Sequence, residues 1–349
     1  MRLGLGLMNA GESSSYASLS RVAQQAEALG YDSLWVTESE PFPLAAHAQH
    51  PVFTGELIVS RKGIASTFEA LAVAAVHTST IRLGISLPNV PFYSPIAVGQ
   101  SLAALDVLSD GRVQVGLGLG WSASEFETVR SGLSRPDSPA SEFVRALRTV
   151  WDCRAKGFTG GHYVIPRSAC KTEPVQQPHP PVVLTAFAPA AIQPSAMLLR
   201  GGSPLSAVLS SEEMAEALQS VAQPVVGQFG TAELVVRAVI RLTNGPLGES
   251  RAMFTGSLDQ IRDGIAFVHS VGAAELQLDL SQMPADRENA HPFDLMSRLS
   301  GLVPATMQMS SPAFSPVSIA AWSVVDTNET GQPTTWAGPF RFFGLEPRS

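Results

Sequence analysis

The run Ser109-Asp110-Gly111-Arg112-Val113-Gln114-Val115-Gly116-Leu117-Gly118-Leu119, closing on Gly120-Trp121, holds the residues whose spacing best suits chemistry. A Ser-Asp-Gly-Arg turn follows an apolar helix and leads straight into a strand. On a pleated strand, residues 116, 118 and 120 share one face. That face is free of side chains, so a flat or bulky molecule has room to lie against the backbone. The competing interpretation is packing, since small residues let neighbouring strands or helices approach closely. The spacing is not the dinucleotide fingerprint G-x-G-x-x-G, because the third glycine falls one residue early and no helix opens at once. No G-x-S-x-G elbow or Cys-His arrangement supports a hydrolase.

The elements that must position this face follow from alternation. Leu3–Met8 reads as a short apolar strand. Leu19, Val22, Ala23, Ala26 and Leu29 then recur at helical spacing up to Gly30. Ser33–Thr37 is the second strand, and Ser66 with Glu69 forms a capping box opening an alanine-rich helix to about His77. Ile81–Leu87 is the third strand, Ser94-Pro95 opens the next helix, and Val113–Leu119 is the fourth strand. Beyond a longer insertion come a helix from Ser138-Pro139 through Trp151, strands at Val182–Ala186 and near Ala207–Leu209, and a helix capped by Ser210 and Glu213. Strands at Glu233–Leu242 and Glu275–Leu280 flank a helix from about Leu258, and a last helix follows Pro292.

Eight strands, each with a helix, predict an α/β fold: a (β/α)8 TIM barrel with insertions after strands. Residues 41–65 and 152–180 are the long connections, both expected on the face that carries active sites. From Ser310 the chain is rich in Pro, Ser and Thr, yet it holds Phe314, Trp322, Trp336, Phe340, Phe342 and Phe343. A solvated linker would lack such aromatics. The expected division is a barrel domain over 1–309 and an aromatic-rich C-terminal extension over 310–349, docked on the barrel or on a second subunit.

Composition narrows the partners. Of 349 residues, 45% are hydrophobic and 15% charged, enough to bury a sizeable core, and the formal charge of −7 argues against a nucleic-acid surface. Cys153 and Cys170 fit a reducing compartment better than a disulfide scaffold. Met1–Leu7 is too short and glycine-rich for a signal peptide, and no apolar stretch could span a membrane. A cytoplasmic protein is expected.

Several segments, taken in order, resemble the bacterial luciferase-like family of flavin- and deazaflavin-dependent oxidoreductases. They are Glu27–Glu38, Thr78–Gly84, Leu105–Trp121 with Glu125-Phe126, Trp151 with Phe158 and Gly160, Pro174–Pro181, Gly256–Ile261 and Gly272–Leu278. The resemblance covers roughly residues 1–305. It implies a (β/α)8 barrel that binds FMN or coenzyme F420 at the strand carboxyl ends. Reduced FMN activates oxygen for attack on an aldehyde, ketone or activated carbon, whereas F420 members transfer hydride. The protein supplies positioning, electrostatics and exclusion of water.

The resemblance also nominates site residues. The cofactor would lie against Gly118, Gly120 and Trp121, and over Ser86-Leu87-Pro88, where the family often has a non-proline cis peptide. Thr185, Ala186 and Phe187 match the phosphate-binding run after the fifth strand, with only Thr185 keeping a hydroxyl. Many relatives have Glu-His at the end of the second strand; here the pair is Glu38-Ser39. A serine does not exchange protons near neutral pH without a base beside it. Glu38, Ser39 and His47 are therefore the catalytic candidates, with Glu38 equally suited to pairing an arginine or backbone amides. A metal role for the His47/His50 pair is disfavoured, and no metal is expected. Leu119 stands where luciferase subunits hold the FMN phosphate with an arginine. Arg112, at the opposite end of its strand, is expected in a structural salt bridge.

The resulting expectation is an FMN-dependent monooxygenase. It would take reduced flavin from a separate reductase, use O2 on a small hydrophobic organic substrate, and form a homodimer. An F420-dependent oxidoreductase is the alternative, followed by a relative that has lost redox turnover.

Overall fold

The computed structural model describes residues 1–7, 15–37, 66–87, 90, 93–118, 139–152, 157–167, 172–186, 205–209, 232–248, 251, 253–280, 292–302 and 317–323. Short apolar runs become strands and the three- and four-spaced runs become helices, as the periodicity requires. The strands are β1 (Arg2–Gly6), β2 (Ser33–Thr37), β3 (Arg82–Leu87), β4 (Val113–Gly118), the hairpin β5 (Phe158–Thr159) and β6 (Val164–Ile165), β7 (Val182–Ala186), β8 (Leu205–Leu209), β9 (Ala232–Val239), β10 (Arg241–Leu242), β11 (Thr255–Gly256), β12 (Glu275–Asp279) and β13 (Val317–Ser323). The helices are α1 (Tyr16–Ala28), α2 (Thr67–His77), α3 (Pro95–Leu108), α4 (Pro139–Trp151), α5 (Leu258–Ser270) and α6 (Pro292–Ser300). None of them is long and apolar enough to cross a membrane. The helix expected after Ser210 lies outside the described residues.

Helix starts depart from expectation in one place. Ser66 sits at the N-cap of α2 but makes no side-chain cap bond, so the predicted box with Glu69 is absent. The ladder begins instead with the Ala70 amide on the Ser66 carbonyl at 3.0 Å, and the helix is held by the buried Ala70, Leu71, Ala74 and Ala75. Reciprocal boxes do form at Ser15/Ser18 of α1 and Ser257/Gln260 of α5. Gly30 takes φ +79° directly after α1, the left-handed stop its position predicts.

Among the described residues the main sheet has nine strands rather than eight, in the order β13-β9-β12-β1-β2-β3-β4-β7-β8, and every pairing in it is parallel. Val317–Ser323, within the predicted extension, pairs with β9 along its length and meets β7 through Ala320 opposite Thr185. The tail aromatics apart from Trp322 lie outside the described residues.

Two periodicities divide the side chains. Leu3, Leu5, Leu34, Val36, Leu83, Ile85, Val113, Val115, Leu276 and Leu278 pack outward in one core shared with the helices. The alternating positions form a second, inner face. There Trp35 of β2 clusters with Val183 of β7 and Val235 of β9, which requires the sheet to curl until distant strands face one another.

Candidate functional site

The inner face begins, at the amino ends of the strands, with charge. The Glu275 carboxylate is fully buried and accepts from Ser33 Oγ at 2.6 Å, Trp35 Nε1 at 2.9 Å and Arg2 Nε at 3.3 Å. Arg82 Nη2 stands 3.8 Å away. Burial works to raise the Glu275 carboxyl, but Arg82, Arg2 and the two donors outweigh it and hold it below the usual carboxylate range. This end of a parallel barrel-like sheet reads as stability rather than catalysis.

Arg112 belongs to the same end, and its predicted salt bridge is not what holds it. Its guanidinium donates to the carbonyls of Ser109, Ile81, Ala75 and Thr78 and to the Thr78 hydroxyl, at 2.6 to 3.1 Å. The carbonyls cluster there because α2 ends at His77 and leaves its last acceptors unpaired by the helix. The role is structural, with neutral acceptors in place of a carboxylate.

Above the charged layer lies the Trp35 indole, only 5% exposed. A Cβ on Gly84 would collide with its ring, and one on Gly116 would sit 3.4 Å from it and 2.8 Å from the Ile85 carbonyl. The inward glycines of β3 and β4 are thus spent on the tryptophan. This corrects the expectation of a bare face from 116 to 120: at Gly116 the packing interpretation holds. Gly118, the next inward position, ends β4, and Gly120 lies outside the described residues.

Register assembles the carboxyl ends of the strands. Thr37 is opposite Ser86, Ser86 opposite Gly116, Leu87 opposite Leu117, Gly118 opposite Thr185, and Ala186 opposite Ala207. Of the sequence-nominated residues, Ser86, Leu87, Gly118, Thr185 and Ala186 therefore come together on three adjacent strands. The Ser86 side chain is buried and belongs to the inner face, two residues beyond Gly84. Among the described residues the cis peptide bond is Gln177–Pro178, so Ser86–Leu87 is trans. The expected cis bond is not at that position, and Leu87–Pro88 lies outside the described residues. Glu38, Ser39, His47, Gly120, Trp121 and Phe187 also lie outside them.

An inner-face pair escaped the sequence reading. Arg237 of β9 donates to Asp279 Oδ2 from Nε at 3.0 Å and also from Nη2, with both side chains nearly buried. Gly6 makes room for the acid, since a Cβ there would lie 3.3 Å from Asp279 Oδ1. The signal was present. Glu275, Gln277 and Asp279 alternate with Leu276 and Leu278, and polar residues at every second position of a wholly buried strand mark a polar inner face. A paired, desolvated arginine can orient a polar substrate or cofactor group at little cost in net charge.

The profile of a family described as "Luciferase-like monooxygenase" matches residues 2–225. An uncharacterised protein of Mycobacterium tuberculosis (strain ATCC 25618 / H37Rv) is 30% identical over 189 residues, covering 53% of this chain and 65% of that protein. The oxygenase component of a flavin-dependent trigonelline monooxygenase of Acinetobacter baylyi is 29% identical over 146 residues, 40% of this chain and 39% of the relative. The chain thus spans less than two thirds of the length of either. Among solved structures, a monooxygenase from Streptomyces bottropensis superposes with a TM-score of 0.63 at 20% identity, covering 86% of this chain and 97% of that one. An F420-dependent tetrahydromethanopterin reductase from Methanopyrus kandleri gives 0.62 at 14% identity, covering 88% and 99%. At these identities the likeness is one of fold.

Proposed function

Since the chain belongs to the luciferase-like monooxygenase family, we propose that it is an FMN-dependent monooxygenase acting on a hydrophobic organic substrate with O2. A separate reductase would deliver the reduced flavin. The observation that carries this reading is the junction of Ser86, Gly116 and Gly118 at the carboxyl ends of β3 and β4, with an indole filling the space beneath. Small residues over an aromatic floor suit the flat ring of a flavin, and the residues present fit the group on that count.

Ser86, Leu87, Gly118, Gly120 and Trp121 would hold the ring, and Thr185, Ala186 and Phe187 the chain that leads to its phosphate. Reduced FMN, when bound, supplies the two electrons that let one atom of O2 enter the substrate while the other leaves as water. The chain's own part is positional. Ser86 offers a buried hydroxyl that donates or accepts one hydrogen bond. Arg237, fixed by Asp279, offers a directed positive group already desolvated, so no solvent reorganisation is needed during the reaction. Trp35 and the valines behind it exclude water from below. Glu38 and His47 are the proposed proton-handling residues, with Ser39 a hydrogen-bonding neighbour in the catalytic set. A homodimer of a barrel domain over 1–309, carrying the extension over 310–349, completes the proposal.

Relatives named for FMNH2 and for F420 both occur, so the test must separate them. Purified protein is titrated with FMN and with F420 by fluorescence, then assayed with FMN kept reduced by an unrelated flavin reductase in air. Saturable FMN binding and oxygen uptake coupled to an oxygenated product support the proposal. F420 binding without FMN binding redirects it to hydride transfer. Binding of neither identifies a relative without redox turnover.

A further inference from the structure

We infer that Trp35 is the floor of the substrate cavity and sets how far an apolar substrate reaches into the curled sheet. The inference rests on the proposed placement of the site at the carboxyl ends of the strands. Four observations carry it. The indole of β2 belongs to one buried apolar cluster with Val183 of β7 and Val235 of β9, strands that stand apart from β2 in the sheet. It is seated on Gly84 and Gly116, where no side chain competes for the volume. Its position is locked, because Nε1 donates both to Glu275 at 2.9 Å and to Ser33 at 3.0 Å, on the far side from the mouth. Ser86, two residues beyond Gly84 on the same face of β3 and opposite Gly116 of β4, belongs to the next layer toward the carboxyl ends, which is the proposed site.

An aromatic ring held this way presents an apolar surface of fixed height to whatever enters from above. A substrate end that reaches it buries its methylenes; a longer one must leave the excess in water. Removing the ring leaves a space whose walls are glycine backbone and valine. Its lower limit becomes the Arg2–Glu275–Arg82 cluster.

The test uses methyl n-alkyl ketones of increasing length, propyl to undecyl, bound to the full chain and followed by calorimetry with and without FMN. For wild type, affinity should rise about fourfold per added methylene and then stop at a definite length. Trp35→Ala should continue the rise for about two or more further methylenes, and Trp35→Phe for fewer. Where Trp35→Ala does not fold, as judged by circular dichroism, Trp35→Phe alone decides. The same stopping length in wild type and variants overturns the inference, as does failure of every form to bind any ketone. Turnover is measured separately. A shifted stopping length without reduced-FMN turnover overturns only the proposed reaction, and an unshifted one with intact turnover overturns only the floor.

Discussion

The indole of Trp35 on β2 donates a hydrogen bond to the carboxylate of Glu275 on β12, 240 positions away in the chain, at 2.9 Å. That bond joins the aromatic layer of the inner face to the charged layer below it. The carboxylate also balances Arg2 and stands close to Arg82, so four strands depend on one buried acid.

Replacing Glu275 with Ala should therefore be severe. The buried Arg2 and the partly buried Arg82 would lose the carboxylate between them, at a cost of about 3 kcal/mol, read as a lower urea midpoint at unchanged slope. Glu275→Gln should alter the pH dependence as well. The folded-state pKa of Glu275 is depressed, so its contribution is present above the unfolded value of about 4.3 and is lost as pH falls through the folded value. The wild-type acid limb should be steeper than that of Glu275→Gln. Parallel acid limbs would show that the carboxylate does not drive acid unfolding.

Gly84→Ala puts a methyl group into the Trp35 ring. Overpacking of this kind costs about 1–3 kcal/mol. The cost should largely disappear when Trp35 is also changed to Leu, giving a coupling above about 0.5 kcal/mol in a double-mutant cycle by urea unfolding. Additive effects would mean that the two sites do not share the space.

Arg112→Lys keeps the charge and loses the fork that spans four carbonyls and a hydroxyl. A loss of about 1.5–3 kcal/mol is expected, with FMN affinity unchanged because Arg112 opens β4 at the end opposite the proposed site. A fall in FMN affinity at a temperature where the variant is folded would count against the structural role.

Gly118→Val adds a side chain at the carboxyl end of β4, two residues beyond the glycine that already accommodates Trp35. FMN affinity should drop about tenfold or more, equivalent to about 1.4 kcal/mol, by fluorescence titration, while the thermal midpoint changes little. Unaltered affinity would remove the end of β4 from the cofactor site.

Much of the framework was legible because it rests on local periodicity. Ser33–Thr37 and Val182–Ala186 are strands with the predicted bounds, and the helix read from Ser94-Pro95 runs from Pro95 to Leu108. Caps were less legible. Ser66 has the right neighbour for a box that does not form, whereas Ser15 and Ser257 form boxes with Ser18 and Gln260. The reason is energetic. A cap contributes about 1 kcal/mol, and the burial of Leu71 and its neighbours outweighs that in deciding where α2 sits.

The site divides along the same line. Gly116 and Gly118 stood out in the sequence as side-chain-free positions on one face, and the turn Asp110-Gly111, both at positive φ, stood out as the entry to their strand. What would fill that face was not written locally, because the filler is Trp35, from a strand two places away in the sheet. Nor could spacing join Arg237 to Asp279 or Arg2 to Glu275, since each pair forms only when strands remote in the chain pair in register, β12 with β9 on one side and with β1 on the other.

The order of amino acids alone determined the alternation of strands and helices, the apolar outer core and the family, because each depends on neighbours within a few turns of chain. Tertiary structure decided which glycines hold protein and which stay open, and which charges are balanced. Those outcomes depend on volume and on dielectric surroundings, and both exist only after remote strands have closed around a shared interior.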